Sequence, residues 1–88
     1  MASYEVFITA SARREIEDLE KAYRIRVMRV VGDLRFDPRP AGCEKLSSLD
    51  RYRVRVGPYR IVYTIDDAVV TVVVVKVGHR RDVYRRGR

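Results

Sequence analysis

Apolar positions along this chain follow two different periods, and the change of period divides it into regions. Over residues 4–9, Tyr4, Val6 and Ile8 alternate with Glu5, Phe7 and Thr9, which predicts a strand. Ala12, Ile16, Leu19 and Tyr23 then recur at helical spacing, with Ser11 as the expected N-cap and acids early, where the helix dipole favours them. Val27, Met28, Val31 and Leu34 form a second helical stripe. No Gly or Pro separates the two stripes, yet one helix through both would overreach so small a core. A helical hairpin breaking near Lys21-Ala22 is therefore expected. Residues 37–42, Asp-Pro-Arg-Pro-Ala-Gly, are a loop. Period two returns afterwards, weakly over 45–49 and strongly over 52–56, 59–65 and 69–77, with turns at Gly57-Pro58 and Asp66-Asp67. The valine-rich run 69–77 is apolar on both faces, which predicts a central strand covered on both sides. The order β-α-α-β-β-β-β predicts an α+β fold, with two N-terminal helices on one face of a mostly antiparallel, twisted sheet. Residues 1–88 make one small domain ending in a short basic tail.

The phase of the arginines changes what this sheet is for. In the stretch Tyr52-Arg53-Val54-Arg55-Val56-Gly57-Pro58-Tyr59-Arg60-Ile61-Val62-Tyr63, Arg53 and Arg55 share one strand face and Val54 and Val56 the other. A chain reversal symmetric about Gly57-Pro58 pairs Arg55 with Arg60 and puts Arg53 diagonally beside it. The helices need the face bearing Val54, Val56, Ile61 and Tyr63, so the arginine face is left open. Like charges directly opposed across strands are destabilising. No acid occurs from Arg51 to Arg60 to offset them. Three converging guanidiniums point to an anionic ligand, with phosphate the natural candidate. The alternative is a solvated strand face.

Charge supports this reading. The chain carries 19 Lys+Arg against 12 Asp+Glu, a net charge of +7, and 16 of the 19 are arginine. Arginine favours planar, bidentate contacts with phosphate or carboxylate. Ten of the 19 lie in the stretches 51–60 and 76–88, whereas Glu15, Glu17, Asp18 and Glu20 gather elsewhere. Such asymmetry predicts a basic face and an RNA, DNA or acidic protein partner. Cys43 is the one cysteine, so no internal disulfide framework is expected and a reducing compartment is the default. One Cys and one His, His79, offer no credible metal-ligand set. No cofactor is expected. The beginning of the chain lacks the charged and apolar regions of a signal peptide, and the apolar stretch at 69–75 is too short to span a membrane. A soluble cytoplasmic protein without membrane contact is expected.

With these elements in order, the chain resembles the RelE/ParE superfamily of bacterial and archaeal toxins. The most specific carriers of the resemblance are Tyr59-Arg60-Ile61-Val62-Tyr63 and the ending Gly78-His79-Arg80-Arg81-Asp82-Val83-Tyr84. The resemblance implies a toxin of a type II toxin–antitoxin system, held inactive by a cognate antitoxin offering an acidic or amphipathic helix. Its RelE branch implies an endoribonuclease that cuts messenger RNA in the A site of the 30S ribosomal subunit without a metal. Its ParE branch implies poisoning of DNA gyrase by protein contact. A non-catalytic RNA-binding domain using the same basic face is a third reading.

The RelE branch implies basic residues at Arg53, Arg55 and Arg60, a tail arginine at Arg80 and a tail aromatic at Tyr84. All five positions are filled, which favours RNA cleavage. The chain departs from the best-known RelE toxins in carrying arginines where those have lysines at Arg53 and Arg55. One of those lysines serves there as general base. The tail is also shorter between Gly78 and Tyr84.

Metal-free RNA cleavage requires deprotonation of a 2′-hydroxyl, stabilisation of a phosphorane and protonation of the leaving 5′-oxygen. Arg55, Arg60 and Arg80 suit the second task, Arg53 a flanking phosphate, and Tyr84 stacking on an unstacked base. Arg81, Arg85 and Arg86 are further RNA contacts. The resemblance gives Arg55 the base role and Arg80 the acid role. A guanidinium does not give up its proton, whereas an imidazole exchanges one near neutral pH, so His79 is the chemically apt alternative for either. Tyr59 and Tyr63 fall in phase with Ile61 and are expected in the core.

Overall fold

The computed structural model describes residues 3–46 and 50–79. Strand β1 (Glu5–Ile8) leads into helices α1 (Ala10–Glu17) and α2 (Lys21–Asp33). Strands β2 (Glu44–Lys45), β3 (Arg51–Val56), β4 (Tyr59–Asp66) and β5 (Thr71–His79) follow. The sheet order is β1-β5-β4-β3-β2. The pairs β2–β3, β3–β4 and β4–β5 are antiparallel and β1–β5 is parallel, so the sheet is mixed. The chain between β1 and β5 runs through both helices and strands β2–β4, which meets the need of parallel strands for a long connection. The expected α+β architecture is the one observed.

The core is the layer between helices and sheet. Ala12, Ile16, Val27, Val31 and Leu34 pack from the helical side against Val54, Val56, Ile61, Tyr63, Ile65, Val72, Val74 and Val77. Burying such side chains contributes roughly 1.5–3 kcal/mol each relative to exposure. Tyr63 is fully buried, and its hydroxyl donates to the Pro38 carbonyl at 2.8 Å, which satisfies the polar tip and ties the loop to the core.

Several boundaries differ from expectation. Thr9, not Ser11, caps α1: its Oγ1 accepts from the Ala12 N–H at 3.1 Å, and Ser11 lies within the first turn. The expected helical hairpin is observed, with its break between Glu17 and Lys21, so that Lys21 and Ala22 open α2. The weak strand is Glu44–Lys45 rather than 45–49, and residues 47–49 lie outside the described residues. The last strand begins at Thr71. Val69 and Val70 are exposed and belong to the preceding turn, where Val70 takes φ 52°. A β-branched side chain is disfavoured there, so chain reversal overrides strand propensity. The run of valines is covered on one face: Val72, Val74 and Val77 are buried, while Val73 and Val75 are half-buried. The strand is interior to the sheet as expected, lying between β1 and β4.

Candidate functional site

The hairpin β3–β4 builds the site. Val56 pairs with Tyr59 across the two-residue loop Gly57-Pro58, and Arg55 pairs directly with Arg60. Gly57 has φ 57°, the positive first position that such tight hairpins require. A Cβ there would also meet Tyr23 Cε1 at 2.7 Å. Tyr23 of α2 stands edge-on to Tyr59 with centroids 5.1 Å apart, and the Arg26 guanidinium lies 5.2 Å from the Tyr23 ring centroid. Packing on the helix face thus holds the hairpin that presents arginines on the other face.

On that open face Arg53, Arg55 and Arg60 line one hollow of about 280 Å³ together with Gly42 and Glu44. Arg60 is 7% exposed, Arg53 is half-buried and Arg55 is exposed. Val62, opposite Arg53 on β4, is buried. The expected convergence of the three arginines is therefore observed. The acid that the stretch 51–60 lacks arrives from β2. Glu44 is the cross-strand partner of Arg53, and its Oε1 accepts from Arg53 Nε at 3.1 Å and lies 3.0 Å from Nη2. Glu44 was not foreseen as a site residue. The signal available was an opposite charge ahead of Arg53, but using it required the register of a two-residue strand.

The structure does not bring His79 to this cluster. His79 pairs with Tyr59, and the two rings meet edge-on at 6.0 Å and 80°. Directly paired residues share a face, so His79 continues the aromatic row Tyr23–Tyr59 on the helix side. Gly78 is the residue opposite Arg60. Lys76 is engaged elsewhere, its Nζ 2.8 Å from Glu15 Oε2. Arg80, Arg81, Tyr84, Arg85 and Arg86 lie outside the described residues.

A second hollow, of about 500 Å³, lies toward the other end of β4 and is lined by Arg39, Lys45, Asp50, Tyr52, Thr64, Ile65, Asp66 and Asp67. Arg39 donates to Asp67 at 2.9 and 3.4 Å and to the Tyr52 hydroxyl at 3.3 Å, and lies 5.1 Å from the Tyr52 ring centroid. The Tyr4 hydroxyl also donates to Asp67, at 2.7 Å. Hydrogen bonds from Arg39 and then Tyr4 hold the Asp67 carboxyl below its usual range, and the bond to Asp67 raises the Tyr4 phenol. Burial pushes the Tyr63 hydroxyl well up. Among the described residues no cluster of His, Cys, Asp or Glu is gathered to hold a metal ion, and no helix is long and apolar enough to cross a membrane.

Residues 6–84 match the ParE toxin of type II toxin–antitoxin systems, parDE. The chain is 38% identical to toxin RelG of Mycobacterium tuberculosis over 85 residues, covering 94% of this chain and 98% of that one. It is 36% identical to toxin RelE of the same organism, covering 93% and 87%. Among solved structures it resembles the RelBE2 toxin–antitoxin complex of M. tuberculosis, with TM-score 0.78, 33% identity and coverage of 89% and 99%. It also resembles the archaeal RelE–RelB complex of Pyrococcus horikoshii, with TM-score 0.79, 26% identity and coverage of 88% and 94%.

Proposed function

Because this chain belongs to the RelE/ParE superfamily of toxins of toxin–antitoxin systems, we propose that it is a ribosome-dependent, metal-independent endoribonuclease cutting messenger RNA in the A site. The observation that carries the reading is the direct cross-strand opposition of Arg55 and Arg60 in a hollow that Arg53 and Glu44 complete. Opposed cations weaken a hairpin, and a phosphate between them reverses the sign of that contribution. As the 2′-oxygen attacks, negative charge grows on the non-bridging phosphate oxygens. Arg55 and Arg60 stabilise it, and fixed donors of this kind contribute about 100- to 1000-fold each in rate. Proton removal falls to the Glu44 carboxylate, the one proton-accepting side chain among the described residues that line the hollow, which Arg53 orients. Arg80 as second clamp, donating a hydrogen bond to the leaving 5′-oxygen that then takes its proton from water, Tyr84 as stacking platform, and Arg81, Arg85 and Arg86 as RNA contacts complete the proposal on the strength of the family resemblance.

So sparse an apparatus needs its substrate already bent into a near-attack geometry, which the ribosome supplies. A cognate antitoxin is the second proposed partner, since relatives with this fold occur in RelB–RelE complexes. An acidic or amphipathic helix lying over the hollow would neutralise it, and its association should slow as salt rises. The match to the ParE toxin supports a second reading, in which the same face meets DNA gyrase.

Primer extension on messenger from a translation reaction decides between them. The proposal expects cuts inside translated codons and none on the same RNA without ribosomes. Inhibition of gyrase supercoiling with no cut messenger would establish the second reading instead.

A further inference from the structure

The final strand contains a phase change. Val62 pairs with Lys76, but the next residue, Tyr63, pairs with Val74, so Val75 is an extra residue bulged out of the ladder. The bulge returns Val77 to the core face beside Val72 and Val74, and places Gly78 opposite Arg60 and His79 opposite Tyr59. One residue of slip would put the Val77 or His79 side chain opposite Arg60 instead.

The bulge lies where β5 loses a neighbour. Strand β1 ends with Ile8 opposite Val74, and its last bond to β5 runs from the Thr9 N–H to the Val74 carbonyl at 3.0 Å. Beyond that point one side chain takes the place of a strand. Glu15 of α1 accepts the Val77 backbone N–H on Oε1 at 2.8 Å, and Lys76 Nζ on Oε2 at 2.8 Å. Both side chains of the ion pair are about three-quarters buried, and more than sixty residues separate the partners in sequence. A carboxylate so placed fixes a backbone amide and the adjacent side chain together, which a hydrophobic contact cannot do because it is non-directional.

We propose that Glu15 is a positioning residue for the arginine hollow. It pins the bulged end of β5 in the one register that presents a glycine, rather than a side chain, to Arg60. The proposal rests on the reading of that hollow as the phosphate site. Glu15 touches no substrate; it acts through Val77 and Lys76 on the strand that flanks Arg60.

The test compares Glu15→Ala, the paired change Glu15→Gln with Lys76→Met, and Arg55→Ala. The paired change keeps an acceptor for Val77 while removing both charges. Three quantities are read: amide exchange at Val77, melting temperature, and cleavage of messenger on programmed ribosomes resolved into kcat and KM. Glu15→Ala should speed exchange at Val77 at least tenfold and lower kcat by about 100-fold, the cost of misplacing a reacting group by about an ångström. Its KM should stay within about twofold, and the paired change should recover most of kcat. Normal kcat in Glu15→Ala while Arg55→Ala is slow would overturn the positioning role and leave the phosphate site standing. Unchanged Val77 exchange in Glu15→Ala would overturn it as well, as would failure of the paired change to recover kcat despite restored melting. Normal cleavage by Arg55→Ala would remove the phosphate-site reading and this role with it.

Discussion

Arginines line two hollows of this sheet, one toward each end of β4, and the two hollows treat them differently. Arg39 sits in a matched environment: Asp67 and the Tyr52 hydroxyl accept its protons, the Tyr52 ring lies beneath it, and Asp50 and Asp66 are further acids of a lining that also holds Lys45. At the hairpin end Arg53, Arg55 and Arg60 line a hollow with Glu44 as the acid of its lining, and two of the three oppose each other across strands. Both regions draw on the same side chain. The first uses it to join the loop after α2 to the β4–β5 turn. The second sets like charges against one another, an arrangement that serves an incoming anion better than it serves folding. An arginine's partners, more than its exposure, separate these roles: Arg60 is buried and Arg39 is not.

The comparison can be broken from either side. The largest effect is expected at Glu44. Glu44→Gln should lower cleavage by about 100-fold or more, because it deletes the proposed proton acceptor. Its melting temperature should move little, since the Glu44 carboxylate is exposed and glutamine keeps an acceptor for the half-buried Arg53. Gly57→Ala comes next. It imposes a side chain at φ 57° and against Tyr23, and should cost roughly 1–3 kcal/mol in denaturant unfolding. Smaller still is Arg39→Ala, which loses the Asp67 pair and the Tyr52 contact. It should destabilise by about 1 kcal/mol, or about 4–8 °C in melting, with cleavage unchanged at a temperature where the variant is folded. The smallest effect is a pH dependence at Asp67. Its carboxyl is held below the usual range, so its contribution is present above the unfolded value of about 3.9 and fades as pH falls through the lower folded value. Asp67→Asn should flatten that part of the melting-versus-pH curve.

Much of the arginine hollow was legible in the chain. Strict alternation on both sides of Gly57-Pro58 fixes which residues share a face, and symmetry about the loop fixes the pairing of Arg55 with Arg60. Glu44 was not legible, because a two-residue strand carries no period from which to read its register. The face of His79 was hidden for a related reason. A run of valines shows no alternation, so nothing in it announces the bulge at Val75 that sets the phase of Gly78 and His79. Val69 and Val70 read as strand by propensity, but closing the β4–β5 turn takes them out of it, at the cost of a positive φ at Val70. Thr9 and Ser11 are both good caps, and composition alone does not choose between them.

The central claim is that the hairpin arginines stabilise a phosphate and the Arg39 cluster stabilises the fold. Arg60→Met tests it most directly, because methionine keeps the apolar stem of the buried side chain while removing the cation. Messenger cleavage on programmed ribosomes and thermal melting should be measured for this variant beside Arg39→Ala. The account predicts cleavage slower by about 100- to 1000-fold in Arg60→Met with melting unchanged or raised, because repulsion with Arg55 is relieved. Arg39→Ala should show the reverse: lower melting and normal cleavage. Normal cleavage by Arg60→Met, or slow cleavage explained by an equal loss of stability, would contradict the account.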